Sequence, residues 1–211
     1  MPTFKVLTEF PIATESRDHL QPGGVANDNS RYHPFNDKLY KLFDHPLFVM
    51  DMGCAGGGFV KDCLDDGNQA IGLEGSDYAY KVQRAEWATI PNNLFLCDIT
   101  KPFQVLYEGE QAQFDTATMW EVCEHLDESA FPTLCETMRT HLKDNGLWIM
   151  SVSTQHGYHH ITVRPKAWWV EMFEKEGFVN DQALVDYFDG FVRDQHRNAP
   201  DSFPLVLKKK G

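Results

Sequence analysis

The chain reads as an α/β protein built on a doubly wound, mostly parallel sheet, and three observations predict it. Short apolar runs alternate with helix-patterned segments along most of the 211 residues, the order that puts helices on both faces of a parallel sheet. The first run, Leu47-Phe48-Val49-Met50, ends in Asp51 and passes into Gly53-Cys54-Ala55-Gly56-Gly57-Gly58. Acidic residues close the second and third runs, Glu74 and Asp98. Those are the strand ends outside which open α/β sheets bind their ligands.

Each element follows from local pattern. Residues 1–45 precede the first strand and are expected to form an N-terminal arm, either a lid over the site or a helix packed on the sheet; residues 46–211 form the main domain. Within the arm, Gln21-Pro22-Gly23-Gly24 marks a turn or mobile loop. Leu39, Leu42 and Phe43 set one face of a helix over 37–43. The glycines after Asp51 let the backbone turn sharply and approach a ligand. The helix over 57–64 then aims its N-terminal amides at that ligand. A second strand spans 70–73, followed by a helix over 77–87 and a third strand over 94–97. The fourth strand covers 114–120. A helix over 129–142 stops at Asp144-Asn145-Gly146, and a fifth strand covers 147–152. Pro165 opens a helix carrying Trp168, Trp169, Met172 and Phe173, ended by Gly177. The remaining residues are expected to give two strands, over 182–188 and 205–207, joined through 190–202.

Composition narrows the function classes. Hydrophobic content of 42% with 13% aromatic residues is that of a folded domain. No apolar run reaches the roughly 20 residues of a membrane span, and the N-terminal residues lack a secretory pattern. Cys54, Cys63, Cys97, Cys123 and Cys135 are scattered, with no Cys-x-x-Cys pair; they read as reduced, buried thiols of a cytoplasmic protein. A net charge of −12 argues against a broad nucleic-acid surface, which needs local basicity.

Asp51, Gly53, Cys54 and Gly57 fit the pattern Asp-x-Gly-Cys-Gly-x-Gly, with Ala55 where a glycine is usual. The stretch resembles motif I of the class I S-adenosylmethionine (SAM) methyltransferases, and the resemblance extends over roughly residues 46–180. It implies a Rossmann-like methyltransferase sheet with a final antiparallel strand, and SAM as cofactor. The cofactor set it implies is Asp51, Gly53, Cys54, Ala55, Gly57 and Phe59 about the loop, with Trp120 and Glu121 beyond the fourth strand. Glu74, beside Gly75, also stands near the roughly 20-residue spacing at which a ribose-binding acid follows a glycine loop. Asp98 and Ile99 would meet the adenine. From the residues alone, the loop also suits a tight turn or a dinucleotide, and Asp98 a turn former.

The acceptor side centres on Trp120-Glu121-Val122-Cys123-Glu124-His125-Leu126. Glu121, Glu124 and His125 stand at i, i+3 and i+4, which on a helical turn would share one side. Two carboxylates and an imidazole suit a divalent cation, magnesium or manganese. The Glu-x-x-Glu-His pattern resembles two metal-using branches of the family, the ubiquinone-pathway O-methyltransferases and the small-RNA terminal 2′-O-methyltransferases. In the RNA branch a later histidine completes the site; His160, within Gln155-His156-Gly157-Tyr158-His159-His160, takes that place, with His159 as the alternative. The same pattern also occurs in metal-free class I enzymes of small-molecule and sugar metabolism. There Glu121 and His125 shape the pocket and the histidine serves as base. The candidate catalytic residues are therefore His125, His160 and Glu124, and the candidate cation ligands are Glu121, Glu124, His125 and His160.

The expected activity is SAM-dependent O-methylation of a small polar molecule, a saccharide or polyol first. The alternatives are a metal-dependent RNA-end 2′-O-methyltransferase, an NAD(P)-binding oxidoreductase, and a SAM-binding module without turnover.

Overall fold

The computed structural model describes residues 3–190 and 201–211. Strand β1 (Phe4–Thr8) is followed by the short helices α1 (Arg17–Leu20), α2 (Gly23–Asn27) and α3 (His33–Tyr40). Next come β2 (Phe48–Met52), α4 (Gly58–Asp65), β3 (Gln69–Glu74), α5 (Tyr78–Lys81) and β4 (Leu94–Leu96). The chain continues through β5 (Phe103–Tyr107), β6 (Glu110–Gln111), β7 (Phe114–Trp120), α6 (Phe131–His141) and β8 (Leu142–Ser153). It ends with α7 (Lys166–Lys175), β9 (Phe178–Asn180), α8 (Gln182–Phe188) and β10 (Ser202–Lys209).

The main sheet has seven strands in the order β4-β3-β2-β7-β8-β10-β9. Neighbours from β4 to β8 pair in parallel, whereas β10 runs antiparallel to both β8 and β9. Chain order reverses direction between β2 and β7, so the crevice at their carboxyl ends is the switch point where such sheets take ligands. Alternate strand residues feed opposite faces, as a period of two requires. Met50, Ile71, Met119 and Met150 pack with α6 and α7. Val49, Ala70, Ile149 and Val206 pack with α3, α4 and α8. No helix among the described residues is long and apolar enough to cross a membrane.

Several expected elements differ. Residues 182–188 form a helix, not a strand: the Asp181 side chain accepts the Leu184 amide at 3.1 Å as an N-cap, and Val185 and Phe188 bury one helical face. The strand preceding β10 is instead β9, directly after Gly177. Most of the expected 190–202 connection lies outside the described residues. The helix expected over 77–87 breaks at Gln83 and Ala85, both with φ of +50°, leaving α5 and a single 3-10 turn at Ala85–Ala88. The Gln21-Pro22 turn runs directly into α2, so Gly23 and Gly24 are helical. The helix over 129–142 divides into a 3-10 turn and α6, and residues 143–146 belong to β8. The helix expected over 37–43 starts earlier, at His33, with Pro34 in its first turn.

A second, three-stranded sheet, β1-β5-β6, was not expected. It is fully antiparallel, with Val6 opposite Val105. It anchors the first residues of the chain to the segment after β4.

Candidate active site

The carboxyl ends of β2, β3, β4 and β7 open into a cavity of about 1060 Å³, larger than the roughly 300–1,000 Å³ of most ligand pockets. Of the residues expected at the cofactor, Gly53, Ala55, Glu74 and Gly75 line it, as do Asp98 and Ile99 on the next strand end. Trp120, Glu121 and His125 line its other side. Asp51, Cys54, Gly57, Phe59, Glu124 and His160 do not line it.

The glycine loop is held by its neighbours. The amides of Gly53 and Cys54 both donate to the Leu73 carbonyl, at 2.8 and 3.1 Å. Ala55 sits at φ +45°, a left-handed conformation that a glycine would adopt without strain. Its amide donates to Glu74 Oε2 at 2.9 Å, and its carbonyl accepts Trp87 Nε1 at 2.8 Å. Gly57 also has positive φ, and a Cβ there would lie 2.6 Å from Leu94 Cδ1. That glycine therefore serves the packing of the loop onto β4.

The acids divide their work. Glu74 Oε1 accepts the Ser76 amide at 2.9 Å; burial lifts its carboxyl above the usual range despite these bonds. The Gly75 amide also bonds this carboxylate, so of its roughly four acceptor sites about one remains for a ligand hydroxyl. Asp51 is buried and accepts the Thr118 hydroxyl at 2.7 Å, which ties β2 to β7. Asp98 Oδ1 accepts the amide and hydroxyl of Thr100, at 3.0 and 2.6 Å, the local turn an aspartate makes after a strand.

Residues of the arm complete the cavity. Phe10, Ile12, Ala13, Thr14, Glu15, Ser16 and Asp18 all line it. The Asp98 amide donates to the Phe10 carbonyl and the Ala13 amide to the Gly75 carbonyl, both at 2.9 Å. The Gly56 amide donates to the Asp28 carbonyl at 3.1 Å, and Arg31 pairs with Asp62 at 2.7 Å. No spacing motif marks these residues. The one local cue is Ser16, whose hydroxyl caps α1 by accepting the Asp18 amide at 3.2 Å.

On the acceptor side, Glu121 has φ of +53° and precedes a 3-10 turn, Cys123–His125. The three polar residues therefore do not share one helical face. Glu124 is wholly buried, and its Oε1 accepts the Ser153 amide at 3.0 Å. Burial, reinforced by the charge of Glu121, pushes its carboxyl well up. Glu121 Oε2 accepts the Ser202 hydroxyl at 2.7 Å.

His125 Nδ1 meets Asp18 Oδ2 at 2.8 Å, in a contact bent away from the N–H axis. His159 Nδ1 hydrogen-bonds Asp18 Oδ1 at 2.9 Å. His160 packs edge-on to His125 with ring centres 4.9 Å apart, its Nδ1 2.7 Å from the Gln155 carbonyl. Glu124, His125 and His160 each bring one ligand atom to within 4.8 Å of the others; Glu121 is not in that group. One carboxylate and two imidazoles are donors that fit a divalent cation such as manganese. His156 is exposed.

An open, doubly wound sheet with a glycine loop after its first core strand and acids closing the next two defines a class I methyltransferase, an enzyme that draws its methyl group from SAM. The chain belongs to the methyltransferase-domain family, whose model matches residues 28–191. Solved structures show the same fold. A TehB-like SAM-dependent methyltransferase from Corynebacterium glutamicum is 14% identical, with a TM-score of 0.61 over 90% of this chain and 94% of that one. The 1,6-didemethyltoxoflavin-N1-methyltransferase of Burkholderia thailandensis, solved with its substrate and S-adenosylhomocysteine, is 17% identical, with a TM-score of 0.62 over 92% and 84%. The glycopeptide N-methyltransferase MtfA with SAM is 14% identical, with a TM-score of 0.54 over 83% and 92%. No curated protein matches the chain.

Proposed function

We propose that the protein is a SAM-dependent O-methyltransferase of a small, hydroxyl-rich acceptor, a saccharide or polyol, with residues 1–45 serving as the arm over its site. The observation that carries this reading is one continuous cavity with Glu74 and Asp98 on its donor side and His125 beside a polar wall of Ser16, Asp127, Ser129 and Thr133. Glu74 accepts a ribose hydroxyl, and Asp98 with Ile99 meets the adenine. Acidic groups in the wall, with the −12 charge of the chain, disfavour a phosphate backbone.

The sulfonium methyl is already electrophilic, so the protein contributes alignment and a proton acceptor. An acceptor hydroxyl held in line with the carbon–sulfur bond attacks the methyl carbon. The new oxygen–carbon bond forms as the carbon–sulfur pair leaves onto sulfur, and the hydroxyl proton passes to His125. His160 stands beside that base. Alternatively, a divalent cation would be held by Glu124, His125 and His160; when bound it would acidify a coordinated hydroxyl in place of the histidine base.

The test is calorimetric titration with SAM, S-adenosylhomocysteine and NADH, followed by transfer from methyl-labelled SAM to panels of saccharides, polyols and amines. SAM binding with label on an acceptor oxygen is the expected result. Label on nitrogen replaces the O-methyl reading, and binding of NADH alone removes the cofactor assignment.

A further inference from the structure

Two histidines from separate loops converge on one carboxylate of the N-terminal segment. Asp18 presents Oδ2 to His125 at 2.8 Å and Oδ1 to His159 at 2.9 Å. His125 follows β7, His159 lies in the loop after β8, and Asp18 lies in α1. The junction is reinforced beside it: Tyr158 stacks on His159 with ring centres 3.7 Å apart, and its hydroxyl reaches the Gln21 carbonyl at 3.1 Å. The arm itself is fixed to the donor side through the Ala13–Gly75 hydrogen bond.

We infer that Asp18 is a positioning residue for methyl transfer, holding His125 in the tautomer protonated at Nδ1 so that Nε2 is the lone-pair nitrogen. The inference rests on the reading of His125 as the group facing the acceptor hydroxyl. Which imidazole nitrogen is bare is set by the hydrogen bond the other one makes. A carboxylate is acceptor-only and offers an oxygen to each ring. An amide in its place would offer one oxygen and one NH₂, and the NH₂ would face a ring nitrogen that carries a proton. Side chain and geometry thus favour aspartate over its isostere. In the present structure the 2.8 Å contact is too bent to be a hydrogen bond and leaves His125 Nδ1 without a hydrogen-bond partner; the bond is inferred to form when substrate is bound, as poorly aligned catalytic hydrogen bonds often do.

The same pair does a second thing. It places the arm, the turn after β7 and the loop after β8 in fixed relation around the acceptor end. Loss of the carboxylate therefore acts first on the acceptor side; on the donor side it removes only the repulsion that the Asp18 charge exerts on Glu74.

The deciding measurement is imidazole ¹⁵N NMR of the full chain at about pH 8, above the ordinary histidine range near 6.5, with His125 assigned from the spectrum of His125→Gln. In the wild type, His125 is expected as the Nδ1–H tautomer. Asp18→Asn and Asp18→Ala are expected to shift it mainly to Nε2–H. Asp18→Glu should restore at least part of the original signal, and His159→Gln should leave it unchanged. S-adenosylhomocysteine affinity in the Asp18 variants, by calorimetry, should stay within about threefold of wild type, a difference worth under about 1 kcal/mol. A wild type already in the Nε2–H form overturns the inference, as does an unaltered His125 signal in both Asp18→Asn and Asp18→Ala. Failure of the wild type to bind S-adenosylhomocysteine would sink the cofactor reading instead, with the tautomer result standing apart from it.

Discussion

The Glu74 carboxylate accepts the backbone amide of Ala55 at 2.9 Å, so the acid that ends β3 also sets the path of the glycine loop that follows β2. Its other oxygen takes the Ser76 amide. Glu74→Gln keeps one acceptor and turns an NH₂ toward the other amide. A lost hydrogen bond to a charged group is worth about 1.5–3 kcal/mol. SAM affinity should fall roughly tenfold to a hundredfold by calorimetry, and a wild-type affinity would show that this carboxylate serves neither the loop nor the ribose.

Ala55 holds a left-handed backbone, φ +45°, which costs an L-residue about 1–2 kcal/mol. Ala55→Gly removes that strain but adds freedom to the unfolded chain worth about 0.4–1 kcal/mol. The net expectation is a stability gain of between about 0 and about 1.6 kcal/mol in urea unfolding. Ala55→Val, β-branched at positive φ, should lose stability and SAM affinity together.

At Gly57 the obstacle is protein, not ligand. An added Cβ would stand 2.6 Å from Leu94 Cδ1 and 3.2 Å from Glu86 Cβ. Gly57→Ala should destabilise by about 2–4 kcal/mol, combining left-handed strain with overpacking. Leu94→Ala introduced with it should recover part of the loss. Additive losses in the double variant would show that the two side chains do not compete for space.

At the opposite end of the sheet, His45 Nε2 lies 3.0 Å from Asp115 Oδ1 and its Nδ1 3.0 Å from Asp44. The bonds to Asp44 and then Asp115 raise the His45 pKa. A raised histidine stabilises the fold fully below its unfolded pKa, near 6.5. That contribution disappears as pH climbs through the higher folded value. The melting-temperature difference between wild type and His45→Gln should therefore be largest near about pH 6 and shrink on the alkaline side. A difference that grows with pH would have the sign wrong.

For the cation, Glu124→Gln preserves the acceptor that Ser153 uses while removing a ligand oxygen. Manganese affinity, measured by calorimetry, should fall by roughly tenfold or more. If the wild type takes up no manganese and label transfer is unaffected by chelator, His125 works as a base without metal.

Much of the core was legible because period-two burial and glycine punctuation are local signals. Val49, Met50, Ile71 and Met150 are buried where their runs placed them. The β1-β5 pairing also has a visible alternation, Phe4-x-Val6 against Phe103-x-Val105, but a short half-buried strand carries little weight until its partner is known. The apolar residues of 182–188 suited either period, and Asp181 as a cap settled them as helix. That Glu74, Asp98 and His125 line the cavity could be read because they stand beside strand ends. The place of Asp18 could not, since it depends on α1 arriving beside a turn that follows β7.

Gly56 lies where an added side chain would meet Asn29, Arg84 and the Asp28 carbonyl, at 2.5–2.8 Å. The segment holding Asp28 and Asn29 is thus stitched to the glycine loop after β2, through a position with no spare room. A chimera carrying the first portion of some other methyltransferase on this core would have to keep that stitch intact, so the two parts would have to be exchanged together.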